Sequence, residues 1–160
     1  MKLMILMVGK MANPTISQMF EAYTERIKHY VPTEVSMVFT KTTAKQMAQQ
    51  RDEEGKLILN QIKPEDYVVL LDDKGTEYTS MKFARWIEQK QNSVKRLVLV
   101  IGGAYGFSQE VYDRANSLFS LSKLTFPHQL VRIILAEQIY RAYTIIKNEQ
   151  YHHEDSLLLK

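Results

Sequence analysis

Leu97-Val98-Leu99-Val100-Ile101-Gly102-Gly103-Ala104-Tyr105-Gly106 decides the architecture of this 160-residue chain. Its first five residues are apolar and mostly β-branched, the pattern of a strand covered on both faces. Glycines then punctuate the strand's carboxyl end, where a backbone without side chains turns tightly and comes close to a ligand. In open α/β sheets, ligands sit outside the carboxyl ends of strands. The glycines alone fit either a cofactor loop or an ordinary strand-to-helix turn. A second unusual loop follows at Ser120-Leu121-Ser122-Lys123-Leu124-Thr125-Phe126-Pro127-His128, and together the two point to a pocket.

Working outward, apolar strands alternate with helical patterns. Lys2–Val8 reads as a first strand, and Asn13-Pro14 is a helix-start signal, because proline fits the first helical position. A first helix to about Tyr30 places Ile16, Met19, Phe20, Tyr23 and Ile27 on one face. Residues 34–39 form a second strand. Residues 43–62 form a second helix, whose Arg51-Asp52-Glu53-Glu54 run reads as a solvated face. Residues 67–71 are a buried third strand, closed by a turn at Asp72-Asp73-Lys74-Gly75. Ser80 caps a third helix to about Lys90, with Phe83, Trp86 and Ile87 inward and Trp86 in the core. After the fourth strand, Ser108 caps a short helix with Glu110 in its first turn. Residues 118–121 are a fifth strand, residues 129–147 a long last helix, and residues 148–160 a tail. This alternation predicts one α/β domain over residues 1–160, a mostly parallel sheet flanked by helices on both faces.

The last helix is apolar on more than one side, with Ile133, Ile134, Leu135, Ile139, Ile145 and Ile146 among its residues. Such a helix must bury more than one stripe, which argues for a homodimer. Arg132, Glu137 and Arg141 interrupt it. Glu137 and Arg141 stand four apart, a favourable pair for a helix or interface salt bridge, or for catalysis.

Composition narrows the chemistry. The chain is 45% hydrophobic and 24% charged, as in soluble globular proteins. No run approaches the ~20 apolar residues of a membrane span. The amino terminus lacks a signal-peptide cleavage pattern, so the expected address is cytoplasmic. Without cysteine there is no disulfide, thiolate-bound zinc, iron–sulfur cluster or thiol nucleophile. His29 and His128 are distant, and His152-His153-Glu154 reads as solvated, so no metal site is expected. The net charge is +3, divided as −1 over residues 1–80 and +4 over residues 81–160, so the surplus accompanies the two loops. That suits an anionic partner or a solvated basic face. Gly106 is followed by Phe107-Ser108, which excludes a P-loop. The Gly-Gly-x-x-Gly spacing after a fourth strand fits a dinucleotide fingerprint poorly. There is no Gly-x-Ser-x-Gly elbow.

The two loops taken with the last helix are distinctive. Ile101-Gly102-Gly103-x-x-Gly106, Leu121-Ser122-x-Leu124-Thr125-Phe126-Pro127-His128-x-Leu130-Val131-Arg132, Ala136-Glu137-Gln138-Ile139-Tyr140-Arg141-Ala142 and Tyr151-His152 closely resemble the RlmH family. So does the opening from Met1 to Gly9, and the resemblance covers essentially the whole chain. These are small SPOUT-class methyltransferases acting on a pseudouridine of large-subunit ribosomal RNA. The resemblance implies a C-terminal trefoil knot, otherwise rare, that holds S-adenosyl-L-methionine in a bent form. It implies a homodimer with an active site across the interface, and N3-methylpseudouridine as product in helix 69 of 23S rRNA, on the assembled 70S ribosome. Cofactor residues carry over to Leu71, Gly103, Leu121, Ser122, Lys123, Leu124, Thr125 and Phe126. Arg132, Glu137, Arg141, Tyr151 and His152 are the candidates for catalysis, the last two meeting the base from the partner subunit. In the family the tail ends shortly after Tyr-His, with Arg or Lys next. Here His153 takes that place and Glu154-Asp155-Ser156-Leu157-Leu158-Leu159-Lys160 follows, an acidic pair that repels phosphate. Readings from other classes are a nucleotide-binding regulatory module and a non-catalytic RNA-binding assembly factor.

Overall fold

The computed structural model describes residues 1–40 and 46–153. Strands and helices alternate along them: β1 (Lys2–Val8), α1 (Pro14–Lys28), β2 (Thr33–Val38), α2 (Met47–Gln61), β3 (Tyr67–Glu77), α3 (Ser80–Ser93), β4 (Arg96–Ile101), α4 (Gln109–Arg114), β5 (Ser117–Ser120) and α5 (His128–Ile146). The expected start of the second helix and the tail beyond His153 lie outside the described residues. The strands form one sheet in the order β2-β1-β4-β3-β5, and every pairing is parallel.

A parallel sheet needs cover on both faces, and alternate residues of each strand supply the two cores. Leu3, Ile5, Met7, Leu97, Leu99 and Ile101 pack with α1, α3 and α5. Met4, Leu6, Val8, Val98, Val100 and Val68 pack with α2 and α4. Because all strands run one way, all carboxyl ends share one rim. The connection from β1 runs outward to β2, whereas that from β4 runs the other way to β5. The crevice between the ends of β1 and β4 is therefore a topological switch point.

Local signals explain most element ends. The Asn13 side chain accepts from the amides of Thr15 (2.9 Å) and Ile16 (3.3 Å), and Pro14 starts α1. The cap of α3 is Thr79, not Ser80; its hydroxyl accepts from the Lys82 amide at 3.3 Å. On α1 the buried residues are Phe20, Thr24 and Ile27, whereas Met19 is 48% exposed.

Two departures shape the site. The expected turn at Asp72-Asp73-Lys74-Gly75 is instead an irregular continuation of β3, which pairs Thr76 with Phe119 and Glu77 with Ser120 after a register shift. The Asp72 carboxylate accepts from the Lys74 amide at 2.8 Å within this bulge. Charge and glycine there mark the irregularity, while the ladder to β5 carries the strand onward. On the other face, Glu54 is buried rather than solvated.

The last helix lies between α1 and α3 and contacts both. Ile139, Leu135 and Ala136 are fully enclosed within the subunit. Most of the helix's apolar surface is thus covered by its own chain, with Leu130 left exposed.

Candidate functional site at the carboxyl rim

Two adjoining cavities open on the rim, of about 220 and 230 Å³. Leu71, Asp72, Asp73, Phe126 and Val131 border both. One adds Phe119 and the loop residues Leu121, Ser122, Leu124 and Thr125. The other adds Gly102, Gly103, Gly106 and His128. All the expected cofactor residues except Lys123, which is exposed, therefore border one or both of these cavities. Asp72, Asp73 and Val131 were not expected there. The two aspartates follow directly on a buried strand, and that position at a strand's carboxyl end was the available signal.

The loop after β5 is shaped by its serines. Ser120 donates its hydroxyl to the Ser122 carbonyl at 3.0 Å, and the Ser122 hydroxyl accepts from the Leu124 amide at 3.0 Å. These local turns fix the course of the loop along the cavity. The loop after β4 closes on itself, with the Gly106 amide donating to the Gly103 carbonyl at 3.2 Å.

Gly103 has a reason for lacking a side chain that differs from close ligand approach. A Cβ there would point beneath the loop, 2.8 Å from Glu54 Oε2 and 3.1 Å from Val8 Cγ1. Glu54 is 5% exposed, takes a 3.0 Å hydrogen bond from Gln50 on Oε1, and has no partner on Oε2. The loop rests on this carboxylate.

Asp72 is also held from below. Burial would raise its pKa, but hydrogen bonds from Tyr112 and the Lys74 amide outweigh it and keep the carboxyl below its ordinary value. Tyr112 is pushed up to about 12 by burial and by Asp72, so it stays a donor.

The catalytic candidates form a second cluster on α5 and the segment after it. Glu137 Oε1 accepts from Arg141 Nη2 at 2.6 Å, Arg141 Nε at 3.0 Å and Tyr151 Oη at 3.1 Å. Arg141 Nη1 lies 3.2 Å from His152 Nδ1, and its guanidinium stands 4.9 Å from the Tyr151 ring centroid. Burial, a hydrogen bond with Tyr23 and the Glu137 carboxylate all raise the Tyr151 pKa, so its hydroxyl stays protonated at neutral pH. Gln138, which sequence reasoning passed over, donates to Glu137 Oε2 at 2.6 Å and borders a third cavity beside Leu121 and Phe126. None of Glu137, Arg141, Tyr151 or His152 borders the two loop cavities.

Arg132 stands apart from that cluster. It is 1% exposed, and its Nη2 donates to the carbonyls of Val8 (2.7 Å) and Gly9 (3.0 Å). Desolvation lowers its pKa from the ordinary value. The side chain ties α5 to the end of β1. Among the described residues no cluster of three metal-ligating side chains occurs, and no helix is long and apolar enough to cross a membrane.

A parallel α/β sheet with its loops gathered at one rim, and a last helix turned back onto the first strand, define a class. The chain belongs to the SPOUT methyltransferase family: the family described as "Predicted SPOUT methyltransferase" matches residues 1–152. Membership implies the C-terminal knot. The match extends to the Tyr151-His152 pair and stops there. Among individual proteins, the chain is 47% identical over 157 residues to a ribosomal RNA large subunit methyltransferase H of Parabacteroides distasonis, covering 96% of this chain and 100% of that one. It is 44% identical over 156 residues to the protein of the same name in Christiangramia forsetii, covering 96% and 99%. The Cytophaga hutchinsonii protein of that name is 44% identical over 155 residues, covering 96% and 100%.

Proposed function

We propose that this chain methylates N3 of a pseudouridine in helix 69 of 23S rRNA on the assembled 70S ribosome, as a cytoplasmic homodimer using S-adenosyl-L-methionine. The observation that carries this reading is the division of the site. The cavity-bordering loops and the Glu137–Arg141–Tyr151–His152 cluster are both built, yet separate within one subunit. A partner subunit that brings its cluster to the other's loops makes one complete site.

The cavity's chemistry fits the cofactor. Leu71, Phe119, Phe126 and Val131 offer apolar walls to an adenine, and the carboxylates of Asp72 and Asp73 face a ligand that carries positive charge. When bound, the cofactor supplies an electrophilic methyl on a sulfonium, so no metal is needed to activate it. The chain's own task is to place that methyl in line with N3 at near-attack distance. Lys123 and Thr125 stand exposed on the loop, where they would meet the cofactor's polar groups.

Residues of the second cluster have distinct roles in this reading. A guanidinium only donates, so His152 Nδ1 accepts from Arg141 and the ring proton sits on Nε2. Arg141 thereby fixes the His152 ring at the composite site, where the pair stabilises the anion formed as the N3 proton leaves to water. Tyr151, held protonated, orients the base. Glu137 fixes Arg141 and Tyr151 in place, and Arg132 acts at a distance by fixing the Val8-Gly9 turn.

Radiolabelled S-adenosyl-L-methionine is incubated with the protein and 70S ribosomes lacking this methylation. Label is expected in 23S rRNA. Cofactor binding by calorimetry with no label in RNA would refute the enzyme and support a non-catalytic RNA-binding factor. Binding of NAD in its place would support a nucleotide-binding regulatory module.

A further inference from the structure

Lys10 and Phe39 lie on the same rim as the cofactor loops. Lys10 comes two residues after the end of β1, and Phe39 directly follows β2. Period-two alternation places Phe39 on the same side of the edge strand as Val35, which packs against the core. The strand's end outruns that cover, and Phe39 is 45% exposed. One exposed phenylalanine is ordinary. What surrounds this one is not.

The Lys10 ammonium stands 4.7 Å from the Phe39 ring centroid, within cation–π range. Among the described residues Lys10 takes part in no salt bridge, so its charge remains available to an anion. The turn that carries it is fixed on three sides. The Gly9 amide donates to the Val38 carbonyl at 2.8 Å, Arg132 donates to the Gly9 carbonyl at 3.0 Å, and Gln129 Nε2 donates to the Lys10 carbonyl at 3.2 Å. Arg132 and Gln129 both belong to α5, whose amino terminus follows the cofactor loop. The pair is thus held in fixed relation to the cavity.

We propose that Phe39 and Lys10 form a nucleotide-binding step on the cofactor rim, where the ring stacks an unpaired base of the RNA substrate and the ammonium meets the adjoining phosphate. Aromatic faces with interleaved cations are the general chemistry of single-stranded nucleic acid recognition. A protein partner fits less well, because lysine is depleted at the centres of protein interfaces. This inference rests on the RNA-methyltransferase reading above and adds the surface that holds nucleotides flanking the target.

The test compares Phe39→Leu, Phe39→Trp and Lys10→Ala with the parent in methyl transfer to 70S ribosomes at subsaturating concentration, with calorimetry of S-adenosyl-L-methionine alongside. Phe39→Leu should lower kcat/KM about tenfold, chiefly through KM, and Phe39→Trp should restore it. Lys10→Ala should lower it too and reduce the salt dependence of ribosome binding by about one phosphate contact. Cofactor affinity should stay at the parent value in all three. Parent-like kcat/KM for Phe39→Leu would overturn the proposal. So would a Phe39→Leu loss matched by a shift from dimer to monomer in sedimentation, which would assign the ring to a subunit interface. If the parent itself transfers no methyl to RNA, the underlying reading fails instead, and this one falls with it.

Discussion

Replacing Gly75 with alanine tests whether the irregular end of β3 builds the site. A Cβ at this position would lie 2.5 Å from the Phe119 nitrogen, 2.6 Å from the Leu118 carbonyl carbon and 2.7 Å from that of Phe119. All three are backbone atoms of β5, so no side chain can swing aside. Comfortable contact between such atoms begins near 3.5 Å, so β5 must retreat by roughly 1 Å. That retreat strains the pairing of Leu71 and Thr76 with Phe119. Overpacking of a tight site costs about 1–3 kcal/mol, and each weakened ladder bond adds about 1 kcal/mol. A total near 3 kcal/mol corresponds to a fall in Tm of about 6–12 °C for a chain of this size. Phe119 also stacks on Phe83 at 4.8 Å and borders one of the rim cavities, so under the proposed function cofactor affinity should drop as well. Urea unfolding followed by circular dichroism, with the m value checked for constancy, measures the first effect, and calorimetry the second. A Gly75→Ala protein with the parent's midpoint and affinity would show that β3 and β5 do not approach as described.

Other outcomes follow from the same geometry. Gly103→Ala should cost about 1–2 kcal/mol through Glu54, and the cost should shrink in a Glu54→Ala background; strict additivity in that double-mutant cycle would refute the contact. Ile139→Asp should unfold the subunit, because the residue is fully enclosed, whereas Leu130→Asp should leave a folded chain that sediments as a monomer if the proposed dimer uses that exposed side chain. Asp66 is held below its ordinary pKa because hydrogen bonds from Arg96 and the Lys63 amide outweigh the opposing effect of burial. Its contribution to stability is therefore complete above the usual carboxylate range and disappears as pH falls through the lowered value, so Asp66→Asn should flatten the acid limb of the stability profile. Removing residues 151–160 should abolish methyl transfer while sparing cofactor affinity, and removing residues 154–160 should leave activity intact or raised; equal loss in both would make the extension functional.

The buried strands were legible because each is a run of apolar residues long enough to face two cores, and alternation with helices dictates parallel pairing. The loops that border the rim cavities were legible from their position after such strands. What escaped the sequence depends on contacts between distant segments. Gly75 and Asp72 look like a turn until β5 is laid beside them. Glu54 sits in a charged run that belongs on a surface, yet Gly103, distant in sequence, leaves room for its carboxylate. Ile139 looks like part of a partner surface until α1 and α3 enclose it. The meeting of Tyr151 with Glu137 requires the chain after α5 to double back, which residue spacing does not reveal.

Arg132 sets an order of events during synthesis. Its guanidinium closes onto the carbonyls of Val8 and Gly9, separated from it by 124 and 123 residues. A nascent chain that has already paired β1 with β2 holds these carbonyls without their donor until α5 leaves the ribosome. Long-range closure of this kind slows folding, and here it also withholds the Gly9–Lys10 turn until α5 is made. A chain that stops before α5 lacks the donor that fixes the rim at Val8 and Gly9, so completion of α5 and of that edge become one event.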